Sequence, residues 1–241
     1  MESGAEFLYS MKLDSMPLPN WIRKIIACWR DFGADETFFR ILQQLRILSQ
    51  YRSLDIYWDE RGKPPSRLPE AQNGFLNREI SRREISGLAL DPQLPPPEEF
   101  EKQFDRGSRL FGAFKENRLV GVNWANTRFA DLTHIGRPFI SLPPETVYTY
   151  GIFVSPSHRG KRAGVFLKEM LMRTLGLEGF RYYVLAVYLR DVRVSKWHRS
   201  NGFRKWGRIF YFRLFGKYFR CARPTAAGKR ALNLFPGNRD A

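Results

Sequence analysis

The sequence predicts an α/β fold in which helices flank a central sheet, with a helical extension at the N-terminus. Three observations lead to this fold class. Residues 109–126 read as two apolar runs around a short polar turn, which is typical of a β-hairpin. Residues 146–189 read as strand, turn, amphipathic helix and strand. Residues 20–32 and 35–50 carry apolar side chains at helical spacing.

The N-terminal extension is predicted to begin with two helices. The first has Asn20 as its N-cap and Gly33 as its stop, and its apolar residues run from Trp21 to Phe32. Its basic residues are Arg23, Lys24 and Arg30. This helix either packs on its own domain or lies on a membrane surface, where basic helices rich in Trp can bind. The apolar stripe of the second helix consists of Phe38, Leu42, Leu45 and Leu48.

The middle of the extension and the start of the main domain contain shorter elements. Residues 53–62 are predicted to form a short strand that runs into a turn, and residues 63–74 a Pro-rich linker. Ser81 and Glu84 have the spacing of a capping box and predict a helix start. An acidic helix is expected around residues 98–105.

The rest of the chain alternates strands and helices. The hairpin turns at residues 115–118, and a long irregular connection of the kind that often carries function, residues 129–145, precedes a third strand at 146–154. The next helix is expected to end at Gly176. A fourth strand follows at 180–189, then a short helix at 192–203 and a strand-like stretch at 208–220.

The charge of the chain is concentrated in its last third. The 241 residues carry 40 Lys and Arg against 24 Asp and Glu, a formal net charge of +16. Residues 1–158 contain 20 of each sign, so residues 159–241 contain 20 basic and 4 acidic side chains. An excess placed so unevenly indicates an anionic partner, such as phosphate, nucleic acid or an anionic membrane. A solvated basic surface without a partner is the alternative.

Composition restricts the class of protein further. A hydrophobic fraction of 43% with 15% aromatic residues is enough for a packed core. Cys28 and Cys221 have no metal-ligand or redox spacing, which favours a reducing compartment. The first 20 residues do not read as a signal peptide, and no apolar run is long enough to span a membrane. We therefore expect a cytoplasmic protein without a metal site.

The segment between the third strand and the next helix indicates a phosphate site. The first N–H groups of a helix have no partners within the helix and lie at the positive end of its dipole. Gly160 and Gly164 allow an anion to approach the backbone, and basic side chains surround it. Those side chains are Arg159, Lys161 and Arg162. The segment has neither the spacing of a P-loop nor the three glycines of a Rossmann turn.

This turn resembles the pyrophosphate-binding turn of the GNAT acetyltransferases. Their pattern is Arg or Gln, two residues, Gly, one residue, then Gly or Ala, and the matching residues here are Arg159, Gly160, Lys161, Arg162, Ala163 and Gly164. Arg162 departs from the pattern, because it replaces the first glycine of the motif. The order of elements supports the resemblance: a hairpin precedes the strand, and a strand, a short helix and the turn Asn201-Gly202-Phe203 follow.

The resemblance implies a mixed, mostly antiparallel central sheet and a division into three regions. Residues 1–76 would form the N-terminal helical extension with its Pro-rich linker. Residues 77–222 would form the GNAT-like acyltransferase domain. Residues 223–241 would be a loose C-terminal tail.

The resemblance also implies where acyl-CoA binds. Backbone groups of Ile152, Phe153 and Val154 would pair with the pantetheine arm, and the turn 159–164 would bind the pyrophosphate. A free backbone N–H near Phe153 would face the oxyanion. Asp191 falls where many members have Asn, near the mouth of the cofactor cleft, although a structural ion pair is the alternative. No metal is implied.

Two catalytic roles remain to be assigned. Many members have a Tyr five residues before the Phe of the last turn, as a proton donor to the leaving thiolate, and His198 holds that position here. With a reference pKa of about 6.5, a histidine retains some imidazolium near neutral pH, but a surface histidine with no such role is the alternative. Candidates for accepting the proton of the acceptor amine are Glu145, Tyr148, Tyr150 and His134. His158 is expected at the surface beside the turn.

We therefore expect an N-acyltransferase that uses acetyl-CoA or another acyl-CoA and acts on an amine. The acceptor is a small molecule or a macromolecule. The alternative is a catalytically weak GNAT-like protein whose basic surface binds anionic lipid or nucleic acid. Peripheral contact with the inner face of an anionic membrane is the expected use of the excess charge, ahead of nucleic acid.

Overall fold

The computed structural model describes residues 20, 23, 27, 28, 31, 33–44, 50–60, 71, 72, 74–131, 139–214 and 217–230. By its internal contacts the chain divides into two units. One comprises Met1–Tyr51 with Phe212–Lys217, and the other comprises Arg52–Tyr211 with Tyr218–Ala241. The candidate site belongs to the second unit. Within the described residues, no helix is both long and apolar enough to cross a bilayer.

The described helices and strands follow one another closely along the chain. The α-helices with described bounds are α1 (Ala34–Gln44), α2 (Pro97–Asp105), α3 (Ala163–Leu177), α4 (Val192–Ser200) and α5 (Ala226–Arg230). The strands are β1 (Gln50–Glu60), β2 (Ala71–Gln72), β3 (Phe75–Ile80), β4 (Ala89–Leu90), β5 (Arg109–Lys115), β6 (Arg118–Asn126), β7 (Phe129–Asp131), β8 (Phe139–Ser141), β9 (Thr146–Val154), β10 (Tyr182–Tyr188), β11 (Arg204–Leu214) and β12 (Lys217–Pro224).

Ten of the described strands form one sheet. Its order is β12-β11-β1-β10-β9-β6-β5-β3-β2, with β4 paired to β6, while β7 and β8 form a separate pair. Neighbours in the middle of the sheet are antiparallel, except that β9 and β10 run parallel because α3 connects them. The predicted mixed, mostly antiparallel sheet with flanking helices is thus confirmed.

The predicted hairpin and its turn are present. β5 and β6 pair antiparallel from Arg109 with Ala125 to Lys115 with Arg118. Glu116 and Asn117, the two residues between the strands, have φ of 51° and 61°. Two consecutive positive φ values are the conformation that two-residue hairpins prefer, since it matches the twist of the strands.

The two faces of the sheet bury different clusters. On one face, α3 packs Leu167 and Leu171 against the strands, and Phe203 lies in the same cluster. The buried members from the strands are Tyr57, Phe111, Ala113, Ala125, Val147, Tyr183, Leu185 and Val187. On the other face, one cluster surrounds Trp58, Tyr148 and Trp206, and a second contains Phe100 and Trp124. The β9–β10 region is therefore covered on both sides.

The N-terminal helices are only partly described. Most of the predicted Trp-bearing helix 20–32, including Trp21 and Phe32, lies outside the described residues. α1 confirms the second helix, and Phe38, the first residue of its predicted apolar stripe, is 57% exposed. Glu36 is buried instead, and its carboxylate accepts a hydrogen bond from Arg40 Nε at 2.7 Å. The Arg40 guanidinium, one helical turn away, thus offsets the charge of the buried Glu36 carboxylate.

Strand β1 belongs to the central sheet. It pairs antiparallel with β10 from Leu54–Tyr188 to Glu60–Tyr182. The sequence predicts the strand but not this place, which joins residues about 130 positions apart. The expected domain boundary at residue 76 stays a prediction, and β1 lies on its N-terminal side.

Two smaller predictions need correction in detail. The strand-like stretch 208–220 is divided between β11 and β12, which are neighbours in the sheet. The capping box at Ser81 is confirmed, because Glu84 accepts a hydrogen bond from the Ser81 N–H at 2.8 Å, but it begins a 3-10 helix (Arg82–Gly87). Hydrogen bonds from Ser81 are the main reason that the pKa of Glu84 falls to about 2.

Residues 226–230 of the expected tail form α5, and residues 231–241 lie outside the described part.

Candidate active site

A gap opens between β9 and β10 at their carboxyl ends. The two strands pair only from Thr146–Tyr182 to Tyr148–Val184. β10 nevertheless stays paired with β1 as far as Tyr188. Beyond Tyr148, the edge of β9 that faces β10 therefore has no ladder with it. Such an edge can hydrogen-bond an extended ligand in the way that an added strand would.

A β-bulge at Gly151 bends β9 where this gap opens. The pairing of β9 with β6 shifts register between Val122–Phe153 and Trp124–Tyr150, so an extra residue is inserted in β9. Gly151 has φ of 61°, a conformation that favours glycine. A Cβ there would lie 3.1 Å from Trp124 Cδ1, closer than most contacts of this kind. The bulge therefore requires glycine, and it increases the divergence of β9 from β10.

The turn after β9 presents a row of free N–H groups. A short 3-10 helix (Pro156–His158) leads from β9 to Gly160, whose φ is 76°, and α3 begins at Ala163. The first α3 hydrogen bonds run from Val165 and Phe166 to the carbonyl of Arg162. Within the described chain, the N–H groups of residues 160–164 donate to no acceptor. Adjacent free donors at the positive end of a helix are an arrangement that favours anion binding, so the predicted phosphate site stays a prediction with the required donors in place.

Three exposed cations surround these donors. Arg159 is held against β9, because its Nε donates to the Val154 carbonyl at 2.9 Å. Lys161 Nζ lies 3.3 Å from the Ser157 carbonyl oxygen. Arg162 lies over the ring of Phe166, at 5.2 Å. The structure thus brings together the predicted turn residues and the predicted strand residues Ile152, Phe153 and Val154.

Arg162 adopts the conformation that the motif glycine would have. Its φ is 61° and its ψ 7°, in the left-handed region. An L-residue there costs about 1–2 kcal/mol that glycine does not. We therefore expect the Arg162→Gly protein to be about 1 kcal/mol more stable than the Arg162→Ala protein, although both lose the guanidinium. Urea unfolding of the two proteins measures the difference, and equal unfolding free energies would contradict this backbone geometry.

Tyr148 and Tyr150 lie on the sheet face opposite α3. Their rings stack at 5.3 Å with an angle of 16°. The Tyr150 hydroxyl lies 2.9 Å from Gln103 Oε1 and 2.7 Å from Ser108 Oγ. Asn126 Nδ2 donates to the same Ser108 Oγ at 3.2 Å. This network fixes the orientation of the Tyr150 side chain, and its role in the site stays a prediction.

Glu145 lies at the opposite end of β9 from the turn. It precedes the strand, and its carbonyl accepts the N–H groups of Arg181 and Tyr182. Its exposed carboxylate lies 3.9 Å from the Arg181 guanidinium. At about 3.3 Å per residue, the length of β9 separates it from the turn by more than 25 Å. The structure therefore places Glu145 at the end of β9 remote from the turn, and its role as a base stays a prediction.

His198 is buried and neutral. It is only 6% exposed, and its ring packs edge-on against Trp197 and Phe203. Burial, with a smaller effect from the charge of Lys168, lowers the pKa of His198 to about 3. The argument that His198 retains imidazolium near neutral pH is therefore wrong, and so is the surface alternative. A neutral imidazole retains one N–H, and this is the only proton that His198 offers near pH 7.

This low pKa predicts a loss of stability in mild acid. Unfolded His198 would titrate near pH 6.5, and the folded protein near 3. Below pH 6.5, His198 binds a proton in the unfolded chain but stays unprotonated in the folded protein. The free energy of unfolding therefore falls as the pH drops towards 3. Between pH 7 and 4.5, we expect wild type to lose about 2 kcal/mol more than His198→Phe. Urea unfolding at both pH values measures this, and parallel losses would refute it.

Asp191 caps the helix that follows β10. Its carboxylate accepts the Val194 N–H at 3.2 Å, which satisfies one of the free donors of α4. Because β9 and β10 are parallel, the N-termini of α3 and α4 lie at the same edge of the sheet. Asp191 is thus placed on the β10 side of the gap, and its contact with a cofactor stays a prediction.

The other candidates contribute less to the site. His134 lies outside the described residues. His158 is half-buried with its ring edge-on to Phe75 at 6.0 Å. Among the residues that the structure describes, no group of three or more His, Cys, Asp and Glu side chains could hold a metal ion.

Sequence reasoning missed three features of the site. Gly151 forms the bulge, and a glycine inside an apolar strand pattern was the available signal. Gln103 and Ser108 hold Tyr150 from distant segments, for which no local pattern exists. Lys168, on α3, is buried to 4% exposure, whereas helical spacing alone gave no reason to place a lysine inside.

Comparisons with known proteins identify a family for this chain. The family model described as "Acetyltransferase (GNAT) family" matches residues 77–203. No curated protein sequence matches the chain. Similar solved structures include a protein described as from the GNAT family of Novosphingobium aromaticivorans, with 14% identity, a TM-score of 0.47, and coverage of 68% of this chain and 65% of that one.

Two further structures are similar at the same level. A GCN5-related N-acetyltransferase from Sphaerobacter thermophilus has 14% identity and a TM-score of 0.48, with coverage of 81% of this chain and 58% of that one. A ribosomal-protein-alanine N-acetyltransferase from Brucella melitensis has 14% identity and a TM-score of 0.41, with coverage of 61% and 96%. The chain thus spans less than two thirds of the length of the Novosphingobium and Sphaerobacter proteins.

Proposed function

This chain belongs to the GNAT acetyltransferase family, and from that premise we propose that it is an N-acyltransferase that uses an acyl-CoA, with acetyl-CoA as the expected donor. The proposal rests on one observation: the gap between β9 and β10 and the free N–H groups of residues 160–164 lie at the same end of one strand. An extended ligand that carries a pyrophosphate needs both features together.

The turn fits the pyrophosphate of such a donor. The N–H groups of residues 160–164 would bind the phosphate oxygens, and Arg159, Lys161 and Arg162 would offset their charge. A Cβ at Gly164 would already touch Val154 Cγ2 at 3.4 Å. A larger side chain there would enter the space between β9 and Trp197, because Ile152 Cδ1 and Trp197 Cζ2 both lie 3.9 Å from that Cβ, so glycine keeps this space open for the ligand.

The same strand would orient the reacting group. When bound, an acyl-CoA supplies a thioester carbonyl that the amine attacks and a thiolate that leaves. Ile152, Phe153 and Val154 would hold the pantetheine arm through their backbone groups. A backbone N–H near Phe153 would donate to the carbonyl oxygen as negative charge develops, and a fixed donor of this kind contributes a few kcal/mol. Orientation of the two reactants would provide much of the remaining acceleration.

The acceptor would approach from the face that carries Tyr148 and Tyr150. These stacked rings lie opposite α3, and the hydrogen bonds of Tyr150 with Gln103 and Ser108 fix its position. We propose that this aromatic wall orients a neutral amine. Water at the open gap would accept the amine proton, with the Tyr150 hydroxyl as the side-chain alternative.

Thiol release tests the proposal. The protein is mixed with acetyl-CoA, and separately with longer acyl-CoAs, in the presence of a panel of small amines, amino sugars and peptides. We expect free CoA to appear faster than in the protein-free control with at least one amine, and the melting temperature to rise with acetyl-CoA. No thermal shift and no thiol release with any donor would refute it.

A second candidate function has one structural observation in its favour. Arg193, Lys196 and Arg199 are all exposed on α4, which carries no acidic side chain. This basic surface supports a role in binding an anionic membrane at its inner face, with nucleic acid as the weaker alternative. Each cation near such a surface contributes on the order of 1 kcal/mol. Co-sedimentation with anionic but not neutral vesicles is expected, and equal pelleting with both would exclude it.

A further inference from the structure

A lysine lies buried in an aromatic environment on α3. Lys168 is 4% exposed. Its Nζ lies 3.7 Å from the centroid of the Phe203 ring and 4.9 Å from that of Trp197. Two rings at these distances stabilise an ammonium through cation–π interactions, which are strongest away from water. Lys168, Trp197, His198 and Phe203 are called the Lys168 cluster below.

The Lys168 cluster lies directly behind the anion-binding turn. Lys168 follows Gly164 by four residues, so both lie on the same face of α3, about 6 Å apart along its axis. Trp197 contacts both residues. Its ring lies 4.9 Å from Lys168 Nζ, and its Cζ2 would lie 3.9 Å from a Cβ added at Gly164. The ammonium is therefore about one helical turn behind the residues that would bind CoA.

His198 belongs to the same cluster. Its ring is 4.8 Å from the Trp197 ring and 5.6 Å from that of Phe203, the two rings that also contact Lys168. His198 Nδ1 is buried and has no hydrogen-bond partner within the described residues. Since burial keeps His198 neutral, the positive charge of this cluster lies on Lys168. The resemblance places position 198 beside the leaving sulfur.

We propose that Lys168 is a positioning residue for thiolate departure: its buried ammonium, held by Trp197 and Phe203, stabilises negative charge on the sulfur of CoA across neutral His198. In the reaction the amine nitrogen forms a bond to the acyl carbon, the C–S bond breaks, and its electron pair stays on sulfur. The proton lost by the amine finally converts the thiolate to free CoA thiol. This inference rests on the proposed function, because it requires CoA to bind at β9.

The thiol pKa of bound CoA tests the inference. Thiolate absorbance is followed against pH for CoA bound to wild type, Lys168→Met and Lys168→Arg. Met keeps an unbranched apolar side chain, one atom shorter than that of Lys, and lacks the ammonium. We expect the thiol pKa to rise by at least one unit in Lys168→Met, a tenfold loss of thiolate at a given pH, and to be largely restored in Lys168→Arg.

Two controls separate charge from structure. Affinity for a CoA analogue that lacks the sulfur should change less than twofold in Lys168→Met. The pKa of His198, followed by NMR, should rise in the same variant, because one cause of its depression is removed. The two readouts report the charge at the sulfur and at His198, so general loosening of the core would not reproduce both.

The outcomes are distinct. An unchanged thiol pKa in Lys168→Met would overturn the inference. Equal losses of affinity for CoA and for the sulfur-free analogue, again without a pKa change, would also overturn it and assign Lys168 to the pyrophosphate. Failure of wild type to bind CoA at all would overturn the proposed function and this inference with it, and the wild-type titration alone reveals that case.

Discussion

The Gly164→Glu protein is expected to bind CoA at least 100-fold more weakly than wild type while remaining folded. Gly164 is half-buried beside Val154, and its N–H is one of the five free donors at the start of α3. A glutamate there would place both bulk and a negative charge where the pyrophosphate approaches. A 100-fold loss corresponds to about 2.7 kcal/mol, in the range of a lost charge-assisted contact. Calorimetric titration with CoA measures it.

Leu177→Glu is the matched control. It adds the same carboxylate to the same helix, at a position that is 64% exposed and at the opposite end of α3. The net charge of the two variants is identical, so a nonspecific charge effect would weaken both equally. CoA affinity in Leu177→Glu should stay within about twofold of wild type. Unchanged affinity in a folded Gly164→Glu protein would exclude this turn as the site.

The Gly151→Val protein is expected to lose both stability and turnover. A β-branched residue at φ of 61° is strongly strained, and its Cβ would lie 3.1 Å from Trp124 Cδ1. We expect a loss of about 2–3 kcal/mol in unfolding free energy. Removal of the bulge would also shift the register of residues 152–154 and so reduce turnover by at least tenfold. Urea unfolding and initial rates measure the two effects.

Gly151→Asn distinguishes the strain from the contact with Trp124. Asparagine tolerates the left-handed region far better than valine, but it brings the same Cβ. Its stability should therefore lie between those of wild type and Gly151→Val. If the asparagine and valine proteins were equally unstable, the contact with Trp124 and not the backbone conformation would be the cause.

Local features of the site could be predicted from the sequence because each depends on neighbouring residues. The strand, the turn and the start of α3 lie within 146–163, and glycine, arginine and apolar residues mark their limits. The hairpin at 116–117 is equally local. The resemblance to the GNAT acetyltransferases also predicted the order of the helices and strands, because the family pattern covers the region from the hairpin to Phe203.

Features that depend on distant residues could not be predicted. The place of β1 beside β10 depends on pairing between residues 54 and 188. The low pKa of His198 depends on burial and, to a smaller extent, on the charge of Lys168, although a polar stretch of sequence suggested a basic surface helix. The hydrogen bonds of the Glu145 carbonyl with the N–H groups of Arg181 and Tyr182 likewise join segments more than 30 residues apart.

A crystal structure of the protein with CoA would test the central claim most directly. We expect the pyrophosphate to accept hydrogen bonds from the N–H groups of residues 160–164. The pantetheine arm should run between β9 and β10, with the sulfur near the bulge at Gly151. CoA bound elsewhere, or a closed β9–β10 gap with the cofactor on the exposed side of α4, would contradict the account.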